Sequence, residues 1–320
     1  MADVLTGAMT DAIAVDALSR SFGDFVAVDS VGFAVRTGEI FAFLGPNGAG
    51  KTTTIRMLAG LLKPSSGSAH VAGCDVATES RRLRSRIGYM SQTFSLYGDL
   101  TVAENIELFG GLYGVAGERL RARRGWILEM AGLQGRERGL TAELPLGFKQ
   151  RLALGCAVLH EPPVLFLDEP TSGVDPLARR AFWDLIHELA SAGTTVLVST
   201  HYMEEAEYCH RLLLMNRGRV IATGRPGELR GRMTEPIYEI ETDDAPGAVA
   251  TLAASESVLD AALFGRAVHV VVRDAGEAER EVPALLSRGG HALAGMRRVE
   301  PSLEDVFVAL VRREGGVVDG

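Results

Sequence analysis

Residues 39–62 read EIFAFLGPNGAGKTTTIRMLAGLL, and this stretch decides the fold. The run 39–44 is almost continuously apolar, the pattern of a parallel strand buried on both faces. It breaks at Gly45-Pro46-Asn47-Gly48-Ala49-Gly50-Lys51-Thr52-Thr53. That is GxxxxGK[ST], with a strand before it and an expected helix over 51–62, the context in which the pattern binds phosphate. Its glycines let backbone N–H groups converge on an anion. The helix aims the positive end of its dipole at the same point. Lys51 is expected to reach β- and γ-phosphates, and the Thr52 hydroxyl to ligate Mg²⁺.

Two further strands end in chemistry. VLFL at 164–167 runs into Asp168-Glu169-Pro170, placing two carboxylates at a sheet's C-terminal edge, where ligands bind in open α/β folds. Adjacent side chains on an extended chain point to opposite sides. One acid, Asp168, can therefore serve the metal while the other, Glu169, polarises a water. The strand 195–199 leads through STH to His201, expected on the same edge and able to hold that water. The other histidines show no metal-ligand spacing.

Around these motifs the chain alternates strands (39–44, 87–90, 164–167, 195–199) with helices (51–62, 177–190), an α/β order with a mostly parallel sheet. Residues 12–37 read as short antiparallel strands turning at Gly23. Residues 100–150 read as a helical insertion, in which ERLRARRGW at 118–126 forms a solvated basic face. Composition shifts near Gly224-Arg225-Pro226-Gly227. Beyond it, strand 237–242, helix 247–254, strands 258–264 and 267–273, helix 276–287, strand 292–299 and helix 303–313 suggest a small ferredoxin-like α+β domain. The expected organisation is a tail at 1–11, a main domain at 12–225 and an accessory domain at 226–320.

Bulk properties set limits. The 320 residues suit about two domains of roughly 150 residues each. With 47% hydrophobic and 23% charged residues, there is material for a full core. The net charge of −8 argues against bulk electrostatic binding of nucleic acid. Cys74, Cys156 and Cys209 are scattered and form no CxxC, so reduced structural thiols are expected. No signal peptide is expected at the N-terminus, and no apolar run reaches the ~20 residues of a membrane span.

The ordered set of motifs resembles the ATP-binding-cassette (ABC) ATPases over residues 12–225. The phosphate loop at 45–53 resembles that family's Walker A, and LFLDEPTSGVDP at 166–176 its Walker B and D-loop (Ser172, Gly173, Val174, Asp175). Gln92 in IGYMSQ resembles the Q-loop and His201 the switch histidine. Phe22 stands where these ATPases stack an aromatic on adenine. Leu144-Pro145-Leu146-Gly147-Phe148 occupies the slot of the LSGGQ signature, with Pro145 and Leu146 in place of Ser and Gly.

The resemblance implies ATP hydrolysis with Mg²⁺ held by Thr52, Gln92 and Asp168, and with Glu169, His201 and Gln92 catalytic. It implies ATP sandwiched head-to-tail between one phosphate loop and the signature of a second cassette, in a homodimer or a cassette heterodimer. It also implies that the helical insertion contacts a membrane permease, which would hold the chain peripherally on the cytoplasmic face of the inner membrane. PSLEDVF at 301–307 resembles the extra domain of cassettes that serve ABC-2-type permeases, the class of drug and polysaccharide exporters. A soluble ABC ATPase acting on ribosomes or DNA is the alternative, but those carry paired cassettes or basic tails.

Overall fold

The structure is a computed structural model and describes residues 11–92 and 96–313. Two compact units, Met1–Pro226 and Gly227–Gly320, divide the chain. Of the expected N-terminal tail only Asp11 is described, and it opens the first strand.

The first unit starts with β1 (Asp11–Phe22) and β2 (Phe25–Arg36), an antiparallel hairpin of two 12-residue strands rather than the short strands expected. Next come β3 (Ile40–Leu44), α1 (Lys51–Leu58), β4 (Ser66–Val71), β5 (Cys74–Asp75), α2 (Ser80–Arg84) and β6 (Ile87–Met90). Helix α1 ends four residues before the expected limit. The N–H of Leu61 donates to the Arg56 carbonyl (2.9 Å) and that of Gly60 to the Met57 carbonyl (3.1 Å), a pair that closes the helix's C-terminus. The helical block contains α3 (Val102–Leu112), α4 (Gly117–Ala131), a 3₁₀ turn (Thr141–Glu143) and α5 (Leu146–Ala157). The block thus runs past Gln150, which lies buried inside α5. The remainder is β7 (Val164–Asp168), α6 (Pro176–Ser191), β8 (Thr195–Thr200), α7 (Met203–Ala206), β9 (Arg211–Asn216) and β10 (Arg219–Gly224), and the short helix α8 (Pro226–Arg230) starts at the unit's last residue.

Strands order as β10-β9-β3-β8-β7-β6 in the central sheet, parallel except for the β9–β10 hairpin. Every residue of β3, β7 and β8 is buried, as continuous apolar strands in a two-sided sheet must be. A second sheet, β2-β1-β4-β5, is antiparallel. The Phe33 ring of β2 stacks on Phe41 at 5.5 Å and meets Phe43 edge-on at 5.2 Å, so aromatic contacts join the two sheets.

The helical block is secured by its own chemistry. Thr101 and Glu104 form a reciprocal capping box at the start of α3. The basic run on α4 is largely absorbed within the unit. Arg119 pairs with Glu161, Arg124 with Glu107, and Arg123 donates to the carbonyls of Val158 and Leu159. Arg123 thereby caps the C-terminal end of α5, where a cation is favoured.

In the second unit, β11 (Ile237–Thr242), α9 (Ala245–Ala253), β12 (Val258–Phe264), β13 (Ala267–Val272), α10 (Ala275–Arg288) and β14 (Leu293–Val299) form an antiparallel sheet in the order β12-β13-β11-β14. This is the ferredoxin-like arrangement. Val268, Val270 and Val272 share a core with Leu252, Val282 and Leu286 of α9 and α10. His269 points the other way and meets Asp305 of α11 (Leu303–Arg313) at 3.1 Å. Asp305 and Ser302 cap one another reciprocally, which gives the PSLEDVF stretch a local structural reason.

His160 offers a test of the first unit's packing. Its ring stacks on Tyr113 at 3.8 Å, and one ring nitrogen lies 3.1 Å from the Ile87 carbonyl. Burial, reinforced by Arg119 and Arg123, lowers its pKa from 6.5 to about 4. A histidine held neutral leaves stability complete above the unfolded value and erodes it as pH falls toward the folded one. His160 should therefore contribute a constant share of Tm from pH 8 to 7 and a falling one between 6.5 and 5. His160→Gln should lessen that early fall, and an unchanged profile would contradict this account.

Candidate functional site

The site forms where the phosphate loop faces the ends of β7 and β8. Gly50 precedes α1 at φ +99°, a conformation that costs glycine little, and a Cβ there would sit 2.7 Å from the Ala27 carbonyl oxygen. The loop then delivers Lys51, 4% exposed, across its own mouth. The ammonium donates to the carbonyls of Gly45 (2.7 Å) and Pro46 (3.0 Å) and stands 3.7 Å from Glu169 Oε1. Burial lowers the lysine pKa, and the charges of Glu169 and Asp168 oppose that shift.

The parallel register of β7 and β8 sets Asp168 beside Ser199. Ser199 Oγ donates to Asp168 Oδ1 (2.6 Å), and Thr52 Oγ1 donates to the same oxygen (2.9 Å). Burial raises the Asp168 pKa, while these two hydroxyl bonds pull it down. Asp168 Oδ2 is buried with no hydrogen-bond partner.

At Glu169 the strand turns sharply. The residue has φ +49°, sparsely populated for a residue with a side chain, and its N–H is held by the Ser199 carbonyl (3.1 Å) and hydroxyl (3.0 Å). The turn sends the carboxylate toward the phosphate loop. There it accepts a hydrogen bond from Gln92 Nε2 (2.9 Å) and lies 3.4 Å from His201 Nδ1. Glu169 is 7% exposed. A cavity of about 340 Å³ opens here, lined by Phe25, Ala27, the stretch 47–53, Gln92 and Glu169.

Lys51, Thr52, Gln92, Asp168, Glu169 and His201 thus converge on one place. Phe22 does not line the cavity. The hairpin register sets it opposite Phe25, and the Arg20 guanidinium lies 4.6 Å from its ring centroid. The stretch 144–148 stands apart from the cavity as well. Helix α5 begins at Leu146, with Pro145 as an N-cap that provides no side-chain bond. A Cβ on Gly147 would come 2.9 Å from Ala178 Cβ, so only glycine lets α5 approach α6 this closely. Leu146 lies against Gly173, and the Phe148 ring is covered by Arg151 at 4.5 Å. In the following turn Ser172 donates to the Glu169 carbonyl and Val174 to that of Thr171. Asp175 caps α6 through Ala178 N–H, with Pro176 in the first turn.

Sequence reasoning passed over Phe25 and Ser199. The signal for Ser199 was present: it precedes Thr200-His201 at the end of a strand that must neighbour β7. Phe25 carries no such mark, because an exposed aromatic at a hairpin tip matches no motif.

The fold and this cluster define a P-loop nucleotide-binding protein. A family model described as "ABC transporter" matches residues 28–172, and one described as "ATP-binding protein DrrA1-3-like, C-terminal domain" matches residues 224–311. The chain is 54% identical over 215 residues to "Probable multidrug ABC transporter ATP-binding protein YbhF" of Escherichia coli (strain K12), covering 67% of this chain and 37% of that protein. It therefore spans well under half of that relative's length. It is 36% identical over 310 residues to "Nod factor export ATP-binding protein I" of Ralstonia nicotianae (strain ATCC BAA-1114 / GMI1000), covering 95% of each chain. Among solved structures, an "ATP binding subunit of ABC transporter" superposes with a TM-score of 0.64 at 33% identity, over 70% of this chain and 93% of that one. The "Dimeric Structure of MJ0796, a Bacterial ABC Transporter Cassette" gives 0.62 at 27% identity, over 67% and 98%. The chain belongs to the family of ABC transporter ATP-binding proteins.

Adenine needs a flat apolar partner, and among the described residues Phe25 is the aromatic that lines the cavity. Loss of one base–aromatic stack costs about 1–3 kcal/mol. Phe25→Ala should weaken ATP binding roughly fivefold or more, and Phe22→Ala by less. Equilibrium titration with a fluorescent ATP analogue checks this; the reverse ranking would contradict the assignment.

Proposed function

We propose that the chain is the ATP-hydrolysing, energy-coupling subunit of a bacterial exporter, driving a separate ABC-2-type permease. One observation carries the reading: Glu169 is buried against the phosphate loop, bonded to Gln92 and within 4 Å of both Lys51 and His201. Such a carboxylate suits a general base beside a bound γ-phosphate.

In this mechanism the loop N–H groups at 45–53 and Lys51 hold the phosphate chain, after the ammonium exchanges the Gly45 and Pro46 carbonyls for phosphate oxygens. Glu169 accepts a proton from a water whose oxygen attacks the γ-phosphorus. Gln92 and His201 hold that water and the γ-phosphate in line, and ADP and phosphate leave. Asp168 offers an unpartnered buried oxygen and Thr52 a hydroxyl, hard donors that fit Mg²⁺. Among the described residues no cluster of three or more His, Cys, Asp or Glu could form an all-protein metal cage. That accords with an ion that keeps waters and substrate phosphates as ligands. With Gln92, these residues would hold Mg²⁺, which neutralises charge on the β- and γ-phosphates when bound.

The stretch 144–148 and the turn 172–175 lie together, away from the cavity, and suit the face offered to a second cassette. Head-to-tail assembly, as a homodimer or with a different cassette, would bring the Gly147 N–H and the positive end of α5 to the opposite ATP. An apolar groove of about 400 Å³, lined by Leu61, Tyr89, Tyr97, Phe109 and Leu112, runs beside Ser91 and supports docking of a permease segment next to Gln92. No helix of the described residues is long and apolar enough to cross a membrane. Attachment to the cytoplasmic face would then come through the permease. The described residues that line the phosphate cavity all belong to the first unit, and the unit Gly227–Gly320 suits an accessory, regulatory role.

Glu169→Gln keeps the shape of the base and removes its proton affinity. ATP hydrolysis should fall about 10²- to 10⁴-fold while ATP binding persists, and an ATP-bound dimer should accumulate on size exclusion. Near-normal phosphate release would contradict the role of Glu169. In that background, Pro145→Ser restores a hydroxyl donor worth roughly 1.5–3 kcal/mol toward a charged acceptor. It should strengthen the ATP-bound dimer at unchanged monomer affinity, and equal or weaker dimerisation would show that Pro145 does not face nucleotide.

A further inference from the structure

Helix α7 carries a buried carboxylate that the reaction above does not use. Glu205 is 1% exposed. Its Oε1 accepts a hydrogen bond from Thr171 Oγ1 and stands 3.5 Å from Arg179 Nε, while its Oε2 has no partner. Arg179, in the first turns of α6, donates to the Val174 carbonyl (3.4 Å) and lays its guanidinium 4.2 Å from the Tyr202 ring centroid. The Tyr202 ring in turn lies 4.2 Å from His201, whose Nδ1 is 3.4 Å from Glu169.

These contacts form a closed circuit. From Glu169 the chain enters the tight turn 169–174; Thr171 and the Val174 carbonyl tie that turn to Glu205 and Arg179; Arg179 and Tyr202 lead back to His201 and Glu169. Packing alone does not require it, since an apolar residue buried at position 205 would avoid the cost of desolvating a charge. What the ion pair adds is direction: a fork at Arg179 that engages the turn on one side and the aromatic ring beside the histidine on the other.

We propose that Glu205 and Arg179 are positioning residues that hold His201 in register with Glu169 and bind that register to the conformation of the 172–175 turn. A second cassette that shifts Val174 would thereby shift the imidazole of this one. The proposal rests on the ATPase reading above and names a control built into that same site.

A double-mutant cycle on the full chain with Mg²⁺ and ATP tests it. Glu205→Gln and Arg179→Lys should each lower kcat about tenfold or more, with KM for ATP changed by less than about twofold. In a His201→Ala background, read by single-turnover phosphate release, the same substitutions should cost almost nothing further, because their effect passes through the histidine. Full multiplicative losses in that background, loss expressed only in KM, or no loss at all would overturn the proposal. Should Glu205→Gln fail to fold, Arg179→Lys and Thr171→Val carry the cycle with the same criteria. A wild type that binds but does not hydrolyse ATP would overturn the ATPase reading and this proposal with it. Hydrolysis by the wild type with multiplicative losses would overturn only the coupling.

Discussion

The end of β7 is the constraint on which the rest of the site depends. Within two residues the chain must bury one carboxylate beside the phosphate loop's threonine and swing the next toward its lysine. Ser199 makes both possible. Its hydroxyl donates to Asp168 and accepts from the Glu169 N–H, and its carbonyl accepts from that same N–H. A single residue of the neighbouring strand thus stabilises a left-handed turn that a glutamate would otherwise resist. Because β7 and β8 are parallel and in fixed register, the geometry of two carboxylates follows from ordinary sheet pairing.

Electrostatics then couples the two walls of the cavity. Lys51 and Glu169 are both nearly buried, and neither charge is easily carried alone at that depth. Each lessens the cost of the other at 3.7 Å, with Gln92 and the loop carbonyls supplying the remaining bonds. A phosphate chain entering the cavity would compete for the lysine and leave the glutamate dependent on Gln92 and His201. A bound phosphate chain would thus redistribute existing hydrogen bonds, and the residues that would feel the change are Gln92 and His201, both held at Glu169.

The central strands were legible in sequence because burial on both faces leaves nearly unbroken apolar runs at 40–44, 164–167 and 195–199. The phosphate loop was legible because its glycines are demanded by backbone conformation rather than by packing. The accessory unit's order of elements also followed from alternation and turn residues, with ends within about two residues. Strand β4, SGSAHV, was passed over because only Ala69 and Val71 are buried, so it shows no apolar run. Helix α5 carries the helical character on to Ala157 and buries Gln150, a polar residue whose burial no local pattern announces. Of the site, each motif was visible, but its cross-links were not. Ser199 to Asp168 depends on strand order, and Glu205 to Arg179 on the return of α7 against α6. Neither is written in local spacing.

The most direct measurement is a crystal structure of the full chain with Mg²⁺ and a non-hydrolysable ATP analogue. The account predicts that Lys51 Nζ leaves the carbonyls of Gly45 and Pro46 for the β- and γ-phosphates, with the ion on Thr52 and Asp168 and the γ-phosphate facing Glu169. A nucleotide bound elsewhere, with Lys51 still on those two carbonyls, would contradict it.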